Sequence, residues 1–295
     1  MPELPDVITY VEALDRLLAG QVIETVRIRS PFVLQTFDPP IETVCDRRVL
    51  GFSRRGKRVV WELEDEVYLV VHPMIAGRFH WKKVGYGGRG KNDLLTLHFN
   101  HGVMAVTEAS KQKRAKAWVC DSIAQVDALD PGGLDVISCT LEQFATALRQ
   151  ENRTLKRALC NPKVFDGIGN AYSDEILLAA RLSPMRRTSQ LSDDEVQLLH
   201  EATQSTLSTW IERLREQSGD RFPEKVTAFR EEMKVHGKFK QPCADCGTTV
   251  QRIRYSSNEC NYCPRCQTDG KILSDRSLAR LLKDDWPKSL EDLED

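Results

Sequence analysis

Asp130-Pro-Gly-Gly-Leu-Asp135 divides the 295-residue chain into two stretches of different hydrophobic period. Proline and paired glycines among acids make a linker, because neither residue type continues a regular element. Ahead of it, residues 22–119 read as strands. The runs ETVRIRS, KRVVWELED, VYLVVHPM and LLTLHFN are rich in β-branched and aromatic residues, and NHG at 100–102 is a turn. Beyond it the period becomes 3.6. Thr140-x-x-Gln143 and Ser192-x-x-Glu195 are capping-box starts, and Val196, Leu199, Thr203, Leu207, Trp210 and Leu214 share one helix face. A helical region is therefore expected over residues 140–217.

Working back to the start, Val7, Val11, Leu14 and Leu18 recur at three- and four-residue spacing. Pro5 suits a first turn and Gly20 a stop, so residues 5–19 are predicted to be a helix. The first half should be a β-sandwich or flattened barrel with one helix laid on it, an α+β arrangement. The glycine-rich loop GYGGRGKND at 85–93 is expected to be mobile. No internal repeat is present.

Hydrophobic residues at 41% and charged residues at 29% support a packed core rather than disorder. No apolar run approaches the ~20 residues of a membrane span. The acidic start MPELPDV lacks a basic-then-apolar leader pattern, which points to a cytoplasmic protein. The net charge of −1 argues weakly against a nucleic-acid partner, but its distribution does not. The last twelve residues hold six acids and one lysine; without them the chain has 41 bases and 37 acids. Basic clusters stand at 54–58 (RRGKR), 111–116 (KQKRAK) and 234–240.

Five of nine cysteines fall within residues 243–266. Cys243-Ala-Asp-Cys246 and Cys263-Pro-Arg-Cys266, sixteen residues apart, have the spacing of a tetrahedral four-thiolate zinc site. Four thiolates leave no open position, so one structural Zn²⁺ is expected, with a β-hairpin between the knuckles. Cys260 competes for the third ligand, since it too lies two residues before another cysteine, Cys263. Pro264 favours Cys263 and Cys266, because it suits a knuckle turn. Cys45, Cys120, Cys139 and Cys160 read as small buried residues.

Met-Pro-Glu is an ordinary start, yet it carries chemistry. A small second residue permits methionine removal, exposing the secondary amine of Pro2 at a helix N-terminus. The helix dipole there should lower the amine pKa. A secondary amine attacking a sugar carbon forms an iminium, an electron sink for elimination, and Glu3 could shuttle the protons.

MPELPDV, RRGK, GIGNAYSDEIL and the paired CxxC knuckles, in that order, resemble the formamidopyrimidine-DNA glycosylase/endonuclease VIII family, from Pro2 to Gln267. The resemblance implies an N-terminal β-sandwich, a helix–two-turn–helix domain and a zinc-finger hairpin, with DNA in the cleft between. It implies domains at 1–130, 131–234 and 235–270, with a tail at 271–295. It implies a base-excision DNA glycosylase with abasic-site lyase activity on double-stranded DNA holding a damaged base or abasic site, acting as a monomer.

By the same resemblance, Pro2 is the nucleophile and Glu3 the acid/base carboxylate. Lys57 contacts the backbone at the lesion, and Asn170 binds a phosphate beside the flipped nucleotide. Met74 enters the gap left by the extruded base, and His72 touches DNA. Lys113 and Arg114 lie in the loop that fills the void. Here that loop is KQKRAK, without the aromatic of the formamidopyrimidine branch. Asp6 stands where a glutamate is usual. Asn258 stands where the finger usually has a phosphate-gripping arginine, and Arg254, four residues earlier, is its substitute candidate. Residues 218–240 are expected to include a flexible segment over the base. These departures leave the lesion open. They also motivate a second reading, a zinc-stabilised damaged-DNA binder without activity. A third, an RNA- or ribosome-associated zinc protein, explains the finger but not PELPDV.

Overall fold

The computed structural model describes residues 1–295 except 225, 228, 256–257, 276–279, 282–286 and 294–295. The chain forms two compact units, residues 1–131 with 210–228, and residues 132–209 with 229–295.

The first unit contains a β-sandwich of two four-stranded antiparallel sheets. One has the order β1 (Thr25–Ile28), β6 (Asp93–Phe99), β7 (Gly102–Glu108), β5 (Gly77–Lys82). The other has the order β2 (Val49–Arg55), β3 (Arg58–Leu63), β4 (Tyr68–His72), β8 (Lys116–Cys120). Alternation along β3 shows how sequence chooses the faces. Val59, Trp61 and Leu63 enter the main core, whereas Val60 points to the other face. There it packs with Val70, Cys120 and Val126, the last from α2 (Ile123–Asp127).

Helix α1 (Leu4–Leu18) buries Val7, Tyr10, Leu14 and Leu18 in the main core. It starts one residue before the expected Pro5, because Glu3 serves as N-cap. The Glu3 N–H donates to Asp6 Oδ2 at 2.9 Å. The shorter carboxylate at position 6 therefore has a structural task, closing the first turn of α1. Loop 85–93 is tied rather than loose: Tyr86 Oη and the Gly90 N–H both donate to Asp93 Oδ2 at 2.7 Å.

In the second unit, α3 (Leu141–Arg149) opens with the expected box. Gln143 N–H donates to Thr140 Oγ1 at 3.2 Å, and Thr140 N–H to Gln143 Oε1 at 2.9 Å. Helices α4 (Leu155–Leu159) and α5 (Asn170–Ala179) follow. Helix α6 (Asp193–Ser218) buries the whole predicted stripe from Val196 to Leu214, and its residues from Trp210 onward are counted with the first unit. The hairpin β9 (Gln251–Arg254) and β10 (Glu259–Tyr262) precedes α7 (Pro264–Thr268). Of the tail, residues 271–275, 280–281 and 287–293 are described. Ile272 N–H donates to Lys288 O and Leu290 N–H to Gly270 O, so the tail turns back on the finger. The rest of that tail lies outside the described residues. Among the described residues no helix is long and apolar enough to cross a membrane.

Candidate nucleic-acid interface and terminal amine

In the first unit, Pro2 and Glu3 are buried at the start of α1, Glu3 being only 2% exposed. The terminal amine, carried by Met1 in this chain, has its pKa lowered. Burial is the main cause. Arg78 and Lys57 act in the same direction, against Glu3 and Asp6. The lowering expected for a Pro2 amine at the helix N-terminus is therefore seen here for the Met1 amine, with desolvation as its leading cause.

Lys57 sits in the two-residue turn joining β2 to β3, where Arg55 pairs with Arg58. Gly56 holds φ +60° there, a conformation that costs glycine little. His72 closes β4 opposite Lys116. Its Nδ1 accepts the Met74 N–H at 2.9 Å. Burial, and then the charges of Arg58, Lys57 and Lys116, push its pKa down to about 4. His72 is thus a neutral ring inside a cationic group. A depressed imidazole pKa means that the unfolded chain protonates first. The stability His72 contributes is complete above its ordinary pKa of 6.5 and drains as pH falls toward 4. Imidazole NMR should find it neutral at pH 6; a midpoint near 6.5 would contradict this environment.

The turn after His72 is closed by a Gly77 N–H to Pro73 O bond of 2.8 Å. A side chain at 77 would put its Cβ 2.2 Å from that same oxygen. Met74 is held at φ +53°, a strain on the order of 1 kcal/mol for a non-glycine residue. Met74 is half-buried, while its neighbour Ile75 is 51% exposed. Sequence reasoning singled out Met74 and missed Ile75. The signal was an aliphatic residue in a turn that a glycine must close.

Lys113 and Arg114 lie in a loop folded around Glu108, which is 1% exposed. Glu108 Oε2 accepts the Arg114 and Ala115 N–H groups at 2.7 and 2.9 Å, and its other oxygen accepts Ser110 Oγ at 2.8 Å. The Lys113 ammonium donates to Glu108 O, and Arg114 to Gln112 Oε1.

In the second unit, Asn170 begins α5 and its Nδ2 donates to Glu259 O of β10 at 2.9 Å. A buried ion pair fixes this turn. Lys156 Nζ donates to Asn170 O at 2.6 Å, Ser173 Oγ at 2.8 Å and Asp174 Oδ1 at 2.6 Å. Asp174 Oδ2 accepts His236 Nδ1 at 2.7 Å and the Asn261 N–H at 3.1 Å. Despite burial, Asp174 holds Lys156 charged, and Lys156 with His236 holds Asp174 ionised. Removing either partner of such a pair costs about 3–5 kcal/mol, so the two act as a unit. Glu175 accepts the N–H groups of Lys234, Val235 and His236, each at 2.9 Å. Sequence reasoning missed Lys156, Asp174 and Glu175. Adjacent acids inside an otherwise apolar helix were the available signal.

Arg254 and Asn258 flank the hairpin tip, where Tyr255 N–H donates to Asn258 O at 2.8 Å. The Arg254 N–H donates to Asp275 Oδ2 at 2.6 Å, and its side chain is exposed. Beside them, the Arg252 guanidinium lies 4.1 Å from the Phe239 ring centroid.

The sulfurs of Cys243, Cys246, Cys263 and Cys266 lie within 4.8 Å of one another. Cys246 Sγ and Cys263 Sγ are 3.4 Å apart. Despite burial, Thr248 and the neighbouring thiols pull Cys246 down to about 6, whereas burial pushes Cys266 up to about 11. So tight a set of sulfurs fits a four-coordinate zinc, whose charge lets all four ionise together. Cys260 is outside the set. It is fully buried, and burial and then Asp174 push its thiol well above its ordinary pKa.

Comparison with known proteins agrees with this architecture. The family model of the formamidopyrimidine-DNA glycosylase N-terminal domain matches residues 1–117, and that of the H2TH domain of the same enzymes matches residues 133–221. Formamidopyrimidine-DNA glycosylase of Lactococcus lactis subsp. cremoris is 28% identical over 278 residues, covering 90% of this chain and 99% of that protein. A formamidopyrimidine-DNA glycosylase-like protein of Mycobacterium tuberculosis is 39% identical over 160 residues, 54% of this chain and 97% of that one. The crystal structure of the Lactococcus lactis enzyme bound non-covalently to DNA containing an abasic site superposes with a TM-score of 0.79 at 26% identity, covering 90% of this chain and 99% of that one. A mutant of that enzyme bound to Fapy-dG-containing DNA gives 0.80 at 26% identity, covering 90% of this chain and 100% of that one.

Proposed function

The chain belongs to the formamidopyrimidine-DNA glycosylase family, and from that premise we propose that it excises a damaged base from double-stranded DNA and cuts the strand through its own N-terminal amine. The observation that carries this reading is the buried terminus. Burial lowers the pKa of the Met1 amine there, an environment that the Pro2 amine would inherit in part on methionine removal, and the Glu3 carboxyl lies one residue beyond Pro2. A neutral amine holds the lone pair that nucleophilic attack requires.

In this reading methionine removal leaves Pro2 first. Lys57, Asn170, the finger residues Arg254 and Asn258, and the charged loop with Lys113 and Arg114 bind DNA phosphates. Met74, with Ile75 beside it, enters the stack as the damaged nucleotide flips out. Damage lowers the cost of that flip. His72, neutral and with Nδ1 already occupied, offers its other ring nitrogen as a donor to the backbone.

The Pro2 nitrogen then bonds C1′, and the base leaves with the glycosidic electron pair. Glu3 protonates the ring oxygen as the sugar opens, and loss of the amine proton gives the iminium. Removal of a C2′ proton feeds electrons into that cation and expels the 3′ phosphate. A second elimination expels the 5′ phosphate, and water hydrolyses the remaining C=N bond. Residues 1–130 carry the chemistry, 131–234 and the zinc finger at 235–270 hold the DNA, and 271–295 form the tail.

The competing reading, a binder that has lost turnover, draws on Asn258 and on the aromatic-free loop around Glu108. Incubation with an abasic-site duplex separates the two. We expect nicked product carrying phosphate on both sides of the gap, at many turnovers per chain. A shifted but uncut duplex would favour the binder.

A further inference from the structure

Arg78 of β5 joins three parts of the first unit that the sequence keeps apart. Its Nη1 donates to Gly77 O at 2.6 Å and Ile75 O at 3.3 Å, both in the turn that carries Met74. Its Nε donates to Val226 O at 2.5 Å, 148 residues away. Val226 belongs to the stretch that leads into the segment expected to lie over the base. That stretch is anchored along the same strand. Glu224 Oε2 is 2.5 Å from His80 Nδ1, and Glu224 Oε1 accepts the Trp81 N–H at 3.2 Å. Phe222 stacks on Tyr10 of α1, with ring centroids 5.9 Å apart. The charge of Arg78 also lowers the pKa of the Met1 amine, as does that of Lys57, while Glu3 and Asp6 oppose them.

We propose that Arg78 is a positioning residue for base release: its guanidinium ties the Met74–Ile75 turn to the segment entering above the base and holds a fixed positive charge beside the chain terminus. This rests on the terminal-amine chemistry proposed above. The carbonyl bonds alone would make Arg78 a structural clamp. The charge gives it a signature that a clamp lacks, since a nearby cation disfavours protonation of an amine.

The test is the rate of borohydride trapping on abasic-site DNA as a function of pH, in the wild type, Arg78→Gln and Arg78→Lys. Glutamine keeps a donor but loses the charge; lysine keeps the charge but cannot reach three carbonyls at once. With Arg78→Gln the amine protonates more readily, so the acid limb should move up by about half to one pH unit, with a three- to tenfold loss at pH 6. Arg78→Lys should leave the limb in place. In both variants 2-aminopurine opposite the abasic site should lose the fluorescence change that reports insertion of the turn. A wild type that traps normally with both variants indistinguishable from it overturns the assignment of Arg78 alone. A wild type that never traps overturns the amine chemistry itself.

Discussion

Pro2→Gly should lower the rate of covalent trapping on abasic-site DNA by on the order of 100-fold, with DNA affinity nearly unchanged. Glycine at position 2 still permits methionine removal, so an amine remains at the same place. What disappears is the pyrrolidine ring. A secondary amine yields an iminium with no N–H to lose, a permanent cation that draws electrons from C2′. The ring also blocks rotation about the N–Cα bond and so pre-aims the lone pair. The glycine amine must be ordered at each encounter and its imine protonated for each elimination. The start of α1 survives the change, because its cap is made by the Glu3 N–H and Asp6. A defect confined to trapping would therefore report on the nitrogen and not on the fold.

Cys263→Ser should abolish zinc binding and weaken DNA binding by on the order of 100-fold or more, since the phosphate contacts proposed for Arg254 and Asn258 would go with it. The buried apolar cluster at the knuckles contains Leu178, Val235, Cys243, Val250 and Cys263. A cluster this small cannot fold a module by itself. Structural zinc in comparable peptides is worth about 10–16 kcal/mol at neutral pH, far more than such a core supplies. Cys263 is also the N-cap of α7, and its N–H donates to Gln267 Oε1 at 2.8 Å. Gln267 in turn donates to Leu182 O at 3.0 Å, so loss of the metal also loosens the finger from α5's end. Atomic absorption should find one zinc per chain in the wild type and in Cys260→Ser, and none in Cys263→Ser. Zinc lost from Cys260→Ser but kept in Cys266→Ser would mean that the ligand set is misassigned.

What the sequence made legible was local and periodic. The Thr140 and Ser192 boxes, the stripe on α6 and the knuckle spacing each lie within a few residues of their partners or repeat on a fixed period. Features formed across long separations were not legible. Lys156 reaches Asp174 18 residues on, and Asp174 reaches His236 62 residues beyond that. No pattern in a single chain announces such a triplet. Loop 85–93 looked free because glycines dominate it, yet the one carboxylate of Asp93 satisfies two donors and closes it. The basic cluster at 111–116 was legible, and residues 111–114 are exposed, but the Glu108 carboxylate that accepts the Arg114 and Ala115 N–H groups was not. Arg78 sits at an unremarkable strand position, and its importance depends on Val226, whose stretch packs into the first unit only once the chain has folded. Ile75 carries no periodic signal of its own; only the folded turn makes it more exposed than Met74.

The most direct test of the whole account is to trap the enzyme on abasic-site DNA with borohydride, digest the adduct and locate the sugar by tandem mass spectrometry. The account predicts an N-terminal peptide beginning at Pro2, with the reduced deoxyribose fragment on its ring nitrogen. A peptide that still begins with Met1, or a sugar carried by Lys57 or another lysine, would contradict it.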